Sequence, residues 1–385
     1  MKKISINKLL KCIGILCCMA ILPSMTSCSS VEKEPEPVIN LLPVQRSMEG
    51  PWSMIDNKGN IVYDDMFEKA PTMAINGFFS VYKNKSYTLC KIGDKAPEVV
   101  NGCENLKSIG IMRDGLIPIV RYGKRIEIIN EAGETQFELS PVDGVEIQEC
   151  EKIYKNGLLC VMTKEHRYGF VDKKGNYVIP CTYGYAWGFE NGYALVGEIK
   201  EEDPMYNIWY VIDTSGDKVF DLGESIFRPN MFCGYIKTEE DDHYVLTDMD
   251  GDKHELPSSM HELYDIQNDL IIYADESKKK GLANLAGDIF ITPQYEDLRF
   301  AFNGDLIARK ESDSPKTLIL DTTGKVKQTL DFEYFFVIHG FSYIGSKNNI
   351  HVILDNNFKK VGKDEFFNEY PVDCTGFIRS DYKGY

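Results

Sequence analysis

The side chains with most chemical potential in this chain are its acids, a few histidines and seven cysteines beyond residue 28. The chemistry to look for is therefore cation binding, acid–base catalysis and thiol reactivity. Glu198-Ile199-Lys200-Glu201-Glu202-Asp203 and Glu239-Glu240-Asp241-Asp242 gather enough negative charge to draw a divalent cation. Such runs are more commonly solvated loops, and both are read that way. Asp248-Met249-Asp250-Gly251-Asp252 echoes part of a calcium loop. Counting from its glycine puts Leu246 at the first ligand position and Pro257 at the twelfth, where a bidentate Glu is needed. His254-Glu255 and His261-Glu262 lie seven residues apart with Pro257 between them, so no single helix presents them as a zinc pair. There is no Gly-x-Ser-x-Gly elbow and no phosphate-cradling glycine loop. With 59 acids, chance carboxylate pairs abound, and none singles itself out as a glycosidase dyad. No catalytic residue, cofactor-binding residue, cofactor or metal ligand is assigned.

The seven cysteines are Cys90, Cys103, Cys150, Cys160, Cys181, Cys233 and Cys374. Their number is odd and no pair is spaced C-x-x-C, which gives no support to a metal knuckle or redox motif. Several sit in apolar runs such as Leu158-Leu159-Cys160-Val161, as small buried hydrophobes do. Spacing does not assign any disulfide.

A repeat must position whatever these residues do. Its best-formed copy runs from Tyr168-Gly169-Phe170-Val171-Asp172 through an Asp-x-x-Gly turn at Gly175, then Val178-Ile179-Pro180 and Tyr183. A second turn at Asn191-Gly192 opens another strand, Tyr193 to Val196. The Asp-x-x-Gly position recurs at residues 59, 133, 175, 216, 251, 287, 324 and 358, with a degenerate copy near 94. That is about nine units of roughly 37 residues over 40–385. Asp or Asn at the first turn position can bond backbone two residues on, and Gly at the fourth tolerates positive φ. Phe358 stands where the last copy should have Gly, so Asn357 is expected to take the left-handed position. No stretch holds a 3.6-residue apolar period, so the body reads as all-β. One unit cannot bury its sheet alone. A closed β-propeller is the preferred architecture, with an open β-solenoid or superhelix as the alternative. Trp52, Trp187 and Trp209 could stack on sugars or peptides. Trp52 occupies the repeat's aromatic position and Trp187 lies between the Tyr step and the Gly turn, so core packing is expected instead.

The 168–196 unit resembles the WG repeat of bacterial envelope and secreted proteins, and 279–308 resembles it more weakly. Only Tyr168-Gly169 and Lys280-Gly281 keep the glycine of the repeat's aromatic-Gly pair. The resemblance implies a β-repeat domain without known catalytic activity and supplies no catalytic residue.

Residues 1–27 carry Lys2, Lys3, Lys8 and Lys11, no acids, and an apolar run from Cys12 to Leu22, the pattern of a signal peptide. Leu22-Pro23-Ser24-Met25-Thr26-Ser27-Cys28 resembles the lipobox of bacterial lipoproteins. By that resemblance residues 1–27 are removed and Cys28 is lipidated. Residues 28–39 then form an extended, acidic, proline-containing tether. The acids after Cys28 loosely resemble the export signal of Bacteroidetes surface lipoproteins. The net charge is −16, and −20 once the four leader lysines are set aside, which disfavours nucleic acid. The resulting expectation is a lipid-anchored protein of the bacterial envelope, at the outer membrane. It binds or scaffolds a protein, peptide or glycan partner and is not an enzyme. A glycan-active enzyme with carboxylates in a propeller channel, or a purely structural envelope protein, are the rivals.

Overall fold

The computed structural model describes residues 34–47, 49–200, 202, 207–225, 228–240, 243–311, 316–338 and 340–367. Every regular element among them is a β-strand. The strands form nine antiparallel blades. The first comprises Ile39–Gln45, Trp52–Ile55 and Ile61–Phe67. The second comprises Ala74–Ile75, Phe78–Lys83, Ser86–Lys91 and Glu98–Val99, and the third Leu106–Ile109, Leu116–Arg121, Ile126–Asn130 and Thr135–Glu138. Short bridges at Ile39↔Ile75 and Tyr87↔Leu106 join these three into one continuous sheet. Six separate four-stranded blades follow, opening at Ile147, Tyr185, Asn230, Glu262, Asp297 and Tyr334.

Packing closes the series. The second and third strands of most blades carry apolar residues on both faces; Leu158–Thr163 of blade four is buried throughout, while Tyr235–Glu240 of blade six turns polar along its length. Each blade therefore needs a neighbour on either side. Phe170 of blade four meets Phe189, on the approach to the next blade's second strand, with ring centroids 4.8 Å apart. At the seam, Ile39, Leu42, Val44 and Ile55 of blade one pack with Ile338, Phe341, Ile344, Ile353 and Phe366 of blade nine. The Phe367 N–H donates to the Gln45 carbonyl at 2.7 Å. Each such side chain contributes about 1.5–3 kcal/mol when buried, which an open array would forgo at its ends. The architecture is thus the closed propeller rather than the open solenoid.

Two kinds of turn fix the blades. In the third-to-fourth turn, the Asp172 carboxylate accepts from the Lys174 and Asn176 N–H groups at 2.8 and 2.9 Å. Asp213, Asp248, Asp321 and Asp355 repeat the geometry. In the last copy Phe358 itself takes the left-handed conformation (φ 62°), and Asn357 does not. Its ring is buried 4.9 Å from Tyr343 and 5.9 Å from Phe335, and that packing holds the strained backbone. In blades two to seven the first-to-second turns are two-residue hairpins with positive φ at both positions, as at Asn156-Gly157 and Asn191-Gly192. This is the type I′ signature, whose twist matches the flanking strands. Gly169 has its own reason. A Cβ there would lie 2.7 Å from the Cys181 nitrogen and the Ile179 carbonyl, because the fourth strand bulges over it.

Antiparallel order puts both kinds of turn at one end of the blades, the turn face. Lys173 of a third-to-fourth turn accordingly reaches Asp114 of the neighbouring blade's hairpin at 2.5 Å. Second-to-third turns and blade-to-blade connections occupy the opposite, crossover face. The first strands are innermost, because residues 34–38 alone reach the hairpins of blades two, three and four. The fourth strands, such as Thr135–Glu138, are largely exposed at the rim.

Asp213 tests the turn. Its Oδ1 accepts from the Ser215 N–H (2.9 Å), the Ser215 hydroxyl (2.7 Å) and the Asp217 N–H (3.0 Å). Burial works against its ionised form, but the bonds from Ser215, Asp217 and Gly216 outweigh it and lower the pKa. Asp213→Ala is expected to cost about 1–2 kcal/mol, read from the urea midpoint. The ionised group's stabilisation is complete above the unfolded value of about 3.9 and is lost as pH falls through the lowered folded value. Asp213→Asn should lack that acid-side loss.

Candidate binding cleft between blades four and five

A cleft of about 250 Å³ lies between blades four and five. Blade four supplies Glu149, Cys150 and Glu151 from the end of its first strand, Cys160 to Met162 from its second and Tyr168 from its third. Blade five supplies Ala186 and Trp187. Met162 and Tyr168 pair across the strands next to the second-to-third turn, so the cleft extends toward the crossover face.

Trp187 is the residue that departs from expectation. Trp209 is buried at 2% exposure in the core and Trp52 is half-buried, but Trp187 is 38% exposed. The physical reason is that the strand before it, Tyr185–Ala186, is only two residues long and has already ended, leaving the indole at a blade junction rather than within a sheet face. The Arg228 guanidinium stands 3.6 Å from the indole centroid, in a cation–π contact. Behind it a small hollow is lined by Gly188, Glu190, Tyr193, Leu195, Pro229 and Met231. Trp187 thus forms the wall between two depressions.

Glu151 sits opposite. Its Oε1 accepts from the Gly188 N–H at 3.0 Å, and Lys155 Nζ lies 3.9 Å from the same oxygen. Oε2 is buried with no hydrogen-bond partner. Burial raises the Glu151 pKa against the opposing pull of Lys155 and the Gly188 N–H. A Cβ on Gly188 would lie 2.0 Å from Oε2, so only glycine lets the carboxylate take this place. Burial also pushes the Cys150 thiol up to about 12 and Cys160 well above its ordinary value. Both are therefore protonated, apolar lining rather than nucleophiles. Cys90, Cys103, Cys150, Cys160 and Cys181 are free thiols. The arrangement offers an aromatic wall, an apolar floor and an unused carboxylate acceptor. It suits a ligand with a flat apolar face and a donor or positive charge beside it.

The other candidates from sequence lie apart from this cleft. Glu198 is half-exposed beside Lys218 (3.5 Å), while residues 201 and 203 lie outside the described residues. Glu239 and Glu240 end a strand, and 241–242 again lie outside the described residues. His254 is in a fourth strand, 3.8 Å from Asp248, a turn carboxylate already bonded to backbone. Cys28 lies outside the described residues. Sequence reasoning did not single out Glu151 or Gly188. The one available signal was Gly184 and Gly188 flanking an aromatic pair, where the repeat has no turn.

Residues 168–197 match the family model described as "WG containing repeat". Among curated proteins, no relative matches the chain. Similar solved structures include a crystal structure of the eukaryotic initiation factor (11% identity, 86% of this chain and 96% of that one, TM-score 0.49). BamB from Moraxella catarrhalis is another (11%, 74% and 92%, TM-score 0.35), as is the WD40 β-propeller domain of Doa1 (14%, 64% and 91%, TM-score 0.30). The propeller is read from the strand pairing and packing above.

Glu151→Gln should raise the unfolding midpoint at pH 8. The substitution keeps the acceptor for Gly188 and removes a carboxylate whose charged form burial disfavours. The wild type loses stability as pH rises from the unfolded Glu value, about 4.3, through the raised folded value. The two proteins should therefore converge below about pH 4 in thermal unfolding followed across pH.

Proposed function

We propose that this is a lipid-anchored protein of the bacterial envelope, attached at the outer membrane through Cys28, whose propeller binds a peptide or glycan of an envelope partner without transforming it. The observation that carries the binding half is the cleft itself: exposed Trp187 facing a buried, unpartnered Glu151 oxygen. Such a carboxylate oxygen is costly to bury without a partner and is stabilised when a ligand donates to it. Arg228 resting on Trp187 shows the kind of group the indole attracts. The acidic body, net −20 beyond the leader, adds a long-range pull on cationic partners and repels nucleic acid. The anchor half rests on the basic leader, the short apolar run and Cys28 after Thr26-Ser27.

One observation favours a second reading. A carboxyl with a raised pKa, sharing a cleft with a second acid and an aromatic wall, is also the arrangement of a glycan-cleaving acid. The proposed binding module and this rival differ in turnover.

The anchor is checked by mass spectrometry of the mature N-terminus from membrane fractions. A diacylglyceryl-modified Cys28 is expected, with Cys28→Ala released into soluble fractions. For the cleft, a photo-crosslinker at Tyr185 in intact cells should capture one partner. Capture should fall about tenfold in Trp187→Ala, the usual consequence of removing an aromatic anchor. Turnover of a polysaccharide panel that Glu151→Gln abolishes would replace binding by catalysis.

A further inference from the structure

The acidic stretch before blade one is not a free tether from residue 34 onward. The Glu34 carboxylate accepts from the Asn156 N–H at 2.8 Å and pairs with Arg113 Nη2 at 3.1 Å. The same Nη2 donates to the Pro35 carbonyl at 2.5 Å. Asn156 lies in the first-to-second hairpin of blade four, and Arg113 flanks that of blade three. Pro37 passes 4.0 Å from where a side chain on Gly340 of blade nine would begin. Val38 exchanges bonds with Asn76 of blade two, its N–H donating to Oδ1 (2.9 Å) and its carbonyl accepting from the Asn76 N–H (2.8 Å). Arg113 is 9% exposed. A buried guanidinium needs an anion, and Glu34 is the carboxylate paired with it here.

We propose that Arg113 and the Asn156 N–H form a receptor for the acidic Glu34-Pro35 segment, and that this capture turns the hairpin face of the propeller toward the membrane. The second part rests on the lipidation of Cys28. Five residues separate Cys28 from Glu34, and the six steps between them span at most about 22 Å fully extended. Most strands have 4–7 residues and make the ring about 13–23 Å high, and four strands spaced about 4.7–4.9 Å apart make each blade about 14 Å wide. A route from the inner hairpins around the rim to beyond the crossover face therefore needs upwards of about 27 Å. A route down the middle is spent by the time it arrives there. With Glu34 docked, the lipid can enter a bilayer only on the turn-face side. A charge-assisted, two-donor grip on one carboxylate is also what distinguishes this site from casual surface pairing.

The full chain is assayed by trypsin cleavage after Lys33 and by hydrogen exchange of the Asn156 amide. Arg113→Met leaves the cleaved bond's sequence intact and should speed cutting about tenfold, as expected for a lost charge-assisted bond. Glu34→Ala changes only a residue ahead of the first strand and removes the acceptor, so it tests docking even if Arg113→Met fails to fold. It should raise Asn156 exchange to a similar degree. Unchanged exchange in folded Glu34→Ala would overturn the docking. Orientation is read in phospholipid vesicles carrying a headgroup quencher, with a fluorescent residue at Asp269 on the turn face or Asn349 on the crossover face. Stronger quenching at Asp269 is expected; stronger quenching at Asn349 in lipid-bearing protein overturns the orientation. Protein with no lipid on Cys28 removes the orientation together with the anchor, while the exchange result judges the docking separately.

Discussion

Most sheets in this molecule are apolar on both faces of their central strands, and such a sheet is stable only between two others. Leu158–Thr163, buried along its whole length, shows the condition at its strictest. A sheet with one wet face would alternate apolar and polar residues; a sheet between two neighbours has no reason to. Everything else follows from satisfying that demand for every blade, including the first and last. The seam between Ile55 and Ile353 is the same solution applied to the two ends of the chain. Small positional tolerances then matter. Gly169 and Gly281 occupy equivalent places because the bulged fourth strand leaves no room for a Cβ.

The repeat was legible because its signals are local. An Asp that bonds backbone two and four residues on needs nothing from elsewhere in the chain, so Asp172, Asp213, Asp321 and Asp355 announce themselves in sequence. Their spacing anticipated the nine blades. Phe358 shows where local reasoning stops. Its backbone accepts strain because Tyr343 and Phe335, from other strands of the blade, hold its ring. Trp187 was misread for a related reason, since its exposure depends on how two blades meet. Glu34 is more distant still: its partner Asn156 is 122 residues away. No composition or period reports such a contact.

The cleft arises where the repeat is least regular. Blade five begins with a strand of two residues, and Trp187 and Gly188 lie just beyond it. That shortening opens the space into which Glu151 reaches. A regular blade would have filled it with another aliphatic side chain and gained stability. The carboxylate, held by the Gly188 N–H on one oxygen and unmatched on the other, is the opposite choice. Departures from a repeat's own rule are where a repeat protein has freedom to do something besides fold.

The docked Glu34 also sets the path of mechanical load. A pull on the N-terminus reaches the propeller first at Glu34 and Pro35, where Arg113 and Asn156 pass it to the hairpins of blades three and four. Asn76 then takes it into blade two through Val38. Only after these contacts yield is Ile39–Gln45, the strand that closes the seam, drawn away from its neighbours. The force is shared among three blades near the axis instead of peeling one strand from its end.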